Sequence, residues 1–191
     1  MSLYDTPEGI AEYAAISDGI DGRELIDRLR TLIPARSRVL ELGTGLGKDL
    51  EILAETFEVT GSDHSPAFLE HVAACRPEIP LLQLDARHLP LTEPFDAIYS
   101  NKVLHHLSRD QLTASLAKQG ELLCPGGVLL HSLWRNPDGG FAEEHQDGLL
   151  FLRYSEAALR SLLPQSLEEI ALEPYTELGY EDSLLLILRR P

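Results

Sequence analysis

Val39–Leu50 reads VLELGTGLGKDL, and this stretch decides the fold. Apolar residues that end a strand run into Glu41, then Gly43, Gly45 and Gly47, then a segment able to wind into a helix. Glycine removes the Cβ that would hold a ligand off the backbone, and it supplies the dihedrals of so tight a turn. The helix start then points free N–H groups and a partial positive charge at whatever lies there. Strand, glycine turn and helix in this order make a nucleotide-type cofactor turn.

Spacing separates the cofactors. A dinucleotide fingerprint needs G-x-G-x-x-G, and its third glycine would fall at Lys48. A phosphate-binding loop needs G-x-x-x-x-G-K-[ST], which would put glycine where Leu42 stands and Ser or Thr where Asp49 stands. Both patterns fail. What remains is E-x-G-x-G-x-G, with an acid two residues before the first glycine. An acid there repels a pyrophosphate and suits a ligand with an ammonium group.

The rest of the chain sets the frame. At 191 residues it forms one domain, long enough to bury a core. A hydrophobic content of 43% with 25% charged residues is that of a globular protein. No apolar run nears the ~20 residues that span a bilayer, and MSLYDTPEGI has neither the basic start nor the apolar core of a signal peptide. Cys75 and Cys124 stand alone, as suits a reducing cytoplasm. The net charge of −15 disfavours a nucleic-acid partner, and no membrane partner is expected.

Apolar periodicity places strands at 38–42, 57–61, 79–84, 95–100, 128–133, 167–172 and 183–189, with helices at 20–33, 46–55, 109–123 and 154–163. Ser65 and Pro66 start a further helix, as cap and first residue. Pro125-Gly126-Gly127 is a turn. Alternating strands and helices give an α/β, doubly wound sheet. Only ten residues, Glu173–Asp182, separate the last two strands. A parallel crossover needs about a dozen or more, so these two strands pair antiparallel.

At this point the stretch 39–50 resembles the first motif of class I S-adenosylmethionine-dependent methyltransferases. The resemblance covers about residues 37–190. It implies a Rossmann-like, seven-stranded mixed sheet with the last strand antiparallel, and residues 1–35 as a helical cap. It implies S-adenosylmethionine as cofactor, held at the glycine turn by Glu41, Gly43, Thr44, Gly45 and Gly47. Asp63 ends the second strand, 20 residues after Gly43, where a carboxylate can accept both ribose hydroxyls; His64 adjoins it. Asp85 and Ala86 fit the clamp on the adenine edge, a carboxylate for the amine and an N–H for a ring nitrogen. Ser100 and Asn101 end the fourth strand and should face the methionine portion. In relatives an N-terminal helix folds over the cofactor, often with a Tyr contact, which makes Tyr13, and after it Tyr4, the candidates here. Cys124-Pro125-Gly126-Gly127 is similar to the family's turn into strand five and carries no chemistry.

Methyl transfer is an in-line displacement, so the protein chiefly aligns and desolvates. A base is needed only where the acceptor must lose a proton. His105 and His106, in a His-His-Leu that often follows this strand in the family, are the first candidates, with His145 behind them. No [DN]-P-P-[YFW] follows the fourth strand, which disfavours amino groups of nucleobases or glutamine. No metal-ligand spacing appears among the seven histidines. Trp134–Arg153, 20 residues long, reads as a loop that walls a small-molecule acceptor, with Trp134, Phe141, His145 and Phe151, and Tyr154 beyond, as lining. Either that pocket is open, or a partner subunit, as in a homodimer, closes it. Two readings stand: a small-molecule methyltransferase, and a cofactor-binding module without catalysis. A nicotinamide-dependent dehydrogenase is opposed by Lys48.

Overall fold

The computed structural model describes residues 7–17, 19–146 and 148–191. Its elements are α1 (Pro7–Ile16), α2 (Arg23–Arg30), β1 (Arg38–Leu42), α3 (Lys48–Ala54), β2 (Glu58–Asp63), α4 (Pro66–Cys75), β3 (Leu81–Gln83) and β4 (Phe95–Asn101). There follow α5 (Arg109–Glu121), β5 (Leu123–Arg135), β6 (Phe141–Gln146), β7 (Leu149–Tyr154), α6 (Glu156–Arg160), β8 (Glu168–Tyr175) and β9 (Ser183–Arg189).

The sheet runs β3-β2-β1-β4-β5, all parallel. Next to β5 comes β9, antiparallel, and β8 pairs antiparallel with β9. The short connection between the last two strands thus forces the pairing its length required. Strand alternation splits the core in two. Leu40, Leu42, Ile98, Leu129 and Leu133 face Leu112 and Leu116 of α5 and Leu159 of α6. Val39, Ala97, Tyr99, Val128 and Leu130 face Ile26 and Leu29 of α2, Leu50 and Leu53 of α3, and Val72.

Helix signals hold where side chains make them. Ser65 accepts from the Phe68 N–H with Pro66 in the first turn, and Ser155 accepts from the Ala158 N–H. Ser108 and Gln111 close a capping box on α5.

Among the described residues the sheet has nine strands rather than the expected seven. Residues 141–154, read from the sequence as part of a loop and the start of a helix, fold as the β6–β7 hairpin. Gln146 pairs with Leu149, and Gly148 just before Leu149 has φ +79°. Pro125-Gly126-Gly127 lies within β5, where the pairing with β4 shifts register, instead of preceding the strand. The helix expected at 154–163 is a short one.

The hairpin's position follows from the two edges of β5. Trp134 pairs with Ser183 on one edge and with Arg153 on the other. That second edge belongs to β4 only as far as Asn101, opposite Ser132. The hairpin therefore fills the edge that β4 leaves vacant, and it stands over the carboxyl ends of the central strands.

Candidate active site

The strand order reverses between β1 and β4, and two connected hollows lie at their carboxyl ends, where open α/β sheets bind ligands. The glycine turn forms their common wall. Gly43, Gly45 and Gly47 have φ of +70°, +51° and +82°. At Gly43 a Cβ would come within 2.4 Å of the Val103 side chain, so the turn can pass this point only as glycine. The Thr44 N–H donates to the Ser62 carbonyl at 2.8 Å and locks the turn onto β2.

The first hollow is lined by Gly43, Gly45, Asp63, His64, Phe68, Leu84, Asp85, Ala86 and Val103, with His106 and Leu149 toward the hairpin. Asp63 is buried at the end of β2. Its Oδ2 accepts from the Gly45 N–H at 3.0 Å and its Oδ1 from the Ser65 N–H at 2.9 Å. The carboxylate thus braces the turn against the start of α4 and faces the hollow. His64 Nδ1 lies 3.3 Å from Asp63 Oδ1. Asp85 is gripped by Arg87, whose Nε lies 2.8 Å from Oδ2, and this guanidinium holds the carboxyl below its usual range. The Ala86 carbonyl accepts from the Ser115 hydroxyl at 2.6 Å, which fixes the backbone beside Asp85.

The second hollow is acidic. Glu41, Asp49, Asp21 and Glu177 line it with Gly43, Thr44, Asn101 and Lys102. Glu41 accepts from the Thr44 hydroxyl, and burial, then Asp49, raises its pKa well above the carboxylate norm. Asp49 accepts from the Gly22 N–H at 2.6 Å, the Tyr99 hydroxyl at 2.6 Å and Asn101 Nδ2 at 3.1 Å. Lys48, the base beside the turn, gives its ammonium to the Ser17 carbonyl. With Lys48 turned to the Ser17 carbonyl and Lys102 paired with Glu177, the carboxylates around the turn fit an ammonium and a sulfonium. They do not fit a pyrophosphate.

Some expected residues lie elsewhere. Ser100 points to the opposite face of β4 from Asn101; it is fully buried and its Oγ lies 2.8 Å from His131 Nδ1. The sequence placed it at the strand end, and alternation turned it away. His105 is also withdrawn: it is 2% exposed, with its ring centroid 3.9 Å from that of His106 and 5.4 Å from that of Phe151. Neither of its ring nitrogens has a partner among the described residues. Burial, then the neighbouring His106, holds it well below the usual imidazole range. His145 is exposed on β6 beside Glu143, outside both hollows. Phe141 is exposed over Arg109 and Tyr154 is buried, so neither lines an acceptor wall. Tyr13 lies on α1, but its side chain, like Tyr4, falls outside the described residues.

His106 does face the first hollow. Its Nδ1 lies 2.7 Å from the Leu150 carbonyl, which can only accept, so the ring proton sits on Nδ1 and the basic lone pair on Nε2. Burial lowers its pKa, so the ring is neutral at pH 7.

Lys102 was not singled out by the sequence, though it directly follows the strand end. It has φ +53°, unusual for a residue with a Cβ, and it lines both hollows. Its ammonium meets Glu177 from the β8–β9 turn at 2.6 Å. No local signal in the sequence could have found that partner, 75 positions on.

A family model described as a methyltransferase domain matches residues 39–127. A Streptomyces venezuelae dTDP-3-amino-3,4,6-trideoxy-alpha-D-glucopyranose N,N-dimethyltransferase is 29% identical over 130 residues, 66% of this chain and 53% of that protein. A trans-aconitate 2-methyltransferase from Acidovorax sp. (strain JS42) is 28% identical over 152 residues, 76% of this chain and 56% of that protein. The chain thus spans about half the length of these curated relatives. Among solved structures, Burkholderia thailandensis 1,6-didemethyltoxoflavin-N1-methyltransferase, with 1,6-didemethyltoxoflavin and S-adenosylhomocysteine bound, superposes with a TM-score of 0.80 at 20% identity. That likeness covers 94% of this chain and 82% of the other, and it establishes the fold.

Proposed function

We propose that the chain is a class I S-adenosylmethionine-dependent methyltransferase that transfers a methyl group from S-adenosylmethionine to a small-molecule acceptor, a reading supported by the methyltransferase-domain match over residues 39–127. One observation carries the reading: a glycine turn walled by the buried carboxylates Glu41, Asp49 and Asp63, with Asp63 reaching across to it, while the two lysines at the hollow are engaged, Lys48 by the Ser17 carbonyl and Lys102 by Glu177. When bound, the cofactor supplies a methyl group on a sulfonium, already a good leaving group.

The residues divide the work by position. In this reading Asp63, with His64 beside it, receives the ribose hydroxyls and Asp85 and Ala86 the adenine edge, and all four line the first hollow. Glu41, Gly43, Thr44, Asp49 and Asn101 border the hollow suited to the amino-acid end. The β6–β7 hairpin contributes Leu149 to the acceptor side and fixes His106 through the Leu150 carbonyl. An acceptor that must lose a proton would give it to His106, whose tautomer leaves Nε2 basic. His105 keeps a second neutral, apolar-packed ring behind it. The cap expected over residues 1–35 is supported by Ser17, Ile20 and Asp21, which line the second hollow.

The acidic chain and the isolated Cys75 and Cys124 support a cytoplasmic setting without a nucleic-acid partner. No helix among the described residues is long and apolar enough to cross a membrane.

Calorimetry with S-adenosylhomocysteine, NAD and ATP tests the cofactor. Binding of S-adenosylhomocysteine alone is expected. Binding of NAD or ATP in its place, or of none at millimolar ligand, would reject the reading. Transfer of labelled methyl to a panel of small amines, hydroxyl compounds and carboxylates then separates an enzyme from a binding module.

A further inference from the structure

The side chain of Glu177 sits in a site built for a carboxylate. Its Oε2 meets the Lys102 ammonium at 2.6 Å and the Tyr175 hydroxyl at 3.2 Å, and the Ser183 hydroxyl lies 3.0 Å away, with its one proton shared between Glu177 and Asp182 Oδ1 at 2.7 Å. The three groups come from three places in the sheet: just past β4, the start of β9 and the end of β8. The same ammonium also donates to Ser183 Oγ at 2.6 Å and Tyr175 Oη at 3.1 Å, and it lies 4.3 Å from the centroid of the Trp134 ring. An ammonium over an indole face, with two hydroxyls at its side, is a fixed cationic corner.

Its place in the molecule points away from a purely structural use. A partly buried ion pair adds little to stability, because desolvating both charges offsets their attraction. Here the chain also holds Lys102 in a left-handed conformation to bring the pair about. Lys102 lines both hollows and Glu177 lines the second, so the pair stands at their seam.

Glu177 can leave without unfolding its turn. Asp182 anchors the backbone, its Oδ1 accepting from the Glu177 N–H at 3.1 Å and its Oδ2 from the Leu178 N–H at 2.8 Å. Rotation of the Glu177 side chain toward solvent would open the corner, and an incoming carboxylate would take its place on Lys102.

We propose that this corner is a carboxylate-binding subsite for the methyl acceptor, and that Glu177 holds it closed until an acidic acceptor displaces it. The proposal rests on the methyltransferase reading. It narrows the acceptor to small molecules anchored by a carboxylate, beside the reacting position that His106 borders.

The test is calorimetry on the protein saturated with S-adenosylhomocysteine, titrated with succinate and tricarballylate, with putrescine as the amine comparison. The carboxylates should bind and putrescine should not. Glu177→Ala, which removes the internal competitor, should tighten the carboxylates about tenfold or more, one charge-assisted hydrogen bond's worth. Lys102→Met should abolish their binding, with Lys102→Arg as the variant that keeps the charge and retains it. Carboxylates that bind Lys102→Met as well as the parent, or Glu177→Ala no more tightly, would overturn the proposal. So would an effect of Glu177→Ala on S-adenosylhomocysteine that is missing with 5′-methylthioadenosine, since the corner would then serve the cofactor's own carboxylate. Failure of the parent to bind S-adenosylhomocysteine would count against the methyltransferase reading, and carboxylate titration without cofactor would still report on the corner.

Discussion

The Tyr99 hydroxyl donates to Asp49 Oδ2 at 2.6 Å, tying β4 to the first turn of α3. The same carboxylate takes the Gly22 N–H that precedes α2 and the Asn101 amide at the end of β4. One buried acid thus sets the helix after the glycine turn against the two elements that border the second hollow. Burial, then Asp49, raises the Tyr99 pKa well above its usual value, so the phenol stays protonated and remains a donor.

Tyr99→Phe keeps the ring and removes that donor. Asp49 retains two others, so the expected loss is about 2 kcal/mol of stability, in the range for a bond to a charged group. For a domain of this size the melting temperature should fall by roughly 4–8 °C. Thermal denaturation of the two proteins decides it. An unchanged melting point would mean that Asp49 is held without Tyr99.

Gly43→Ala meets two obstacles. The position has φ +70°, and the new Cβ would lie 2.4 Å from Val103 Cγ2. Left-handed strain and overpacking together should cost about 2–4 kcal/mol in urea denaturation. Adding Val103→Ala should recover the steric part and leave the dihedral part. If the second substitution recovers nothing, the turn is limited by backbone conformation alone.

Asp63→Ala removes the acceptor shared by the Gly45 and Ser65 N–H groups, and with it a carboxylate facing the first hollow. Affinity for S-adenosylhomocysteine should fall by about 2–3 kcal/mol, roughly 30- to 150-fold. Asp63→Asn keeps one oxygen and should lie between. Calorimetric Kd values that match the parent would remove Asp63 from the cofactor site.

What the sequence reveals depends on the range of the interaction. The glycine turn, the Ser65 cap and the antiparallel ending are legible because each is set by residues within about ten positions of one another. Asp63 and Asp85 are legible as carboxylates at strand ends. Ser100 and Asn101 are adjacent in sequence, and only the register of β4 decides which enters the hollow. The β6–β7 hairpin was hidden because β6 is exposed along its whole length, so FAEEHQ lacks the apolar alternation that marks a half-buried strand. Without that alternation the sequence puts His145 in a loop near the site and gives no role to Leu149 and Leu150. Asp49, Lys102 and Glu177 meet partners tens of residues away, and no local pattern announces such pairs.

His131 makes the fold sensitive to acid. It is fully buried on β5, and burial alone pushes its pKa down to about 3 from the ordinary 6.5. Between those values the unfolded chain binds a proton that the folded chain does not. Stability from this group is therefore complete above pH 6.5 and is lost as pH falls from there toward 3, by about 1.4 kcal/mol per pH unit. His105 acts in the same direction. Glu41 acts in the opposite one: its raised pKa makes the folded chain bind the extra proton, a gain as pH falls toward its unfolded value near 4.5. His131→Asn isolates the histidine. Urea denaturation at pH 7.5 and 5.5 should show the parent losing stability more steeply below pH 6.5 than the variant, by about one proton's worth of slope. Equal slopes would mean that the folded protein already accepts a proton on His131, which would contradict its burial.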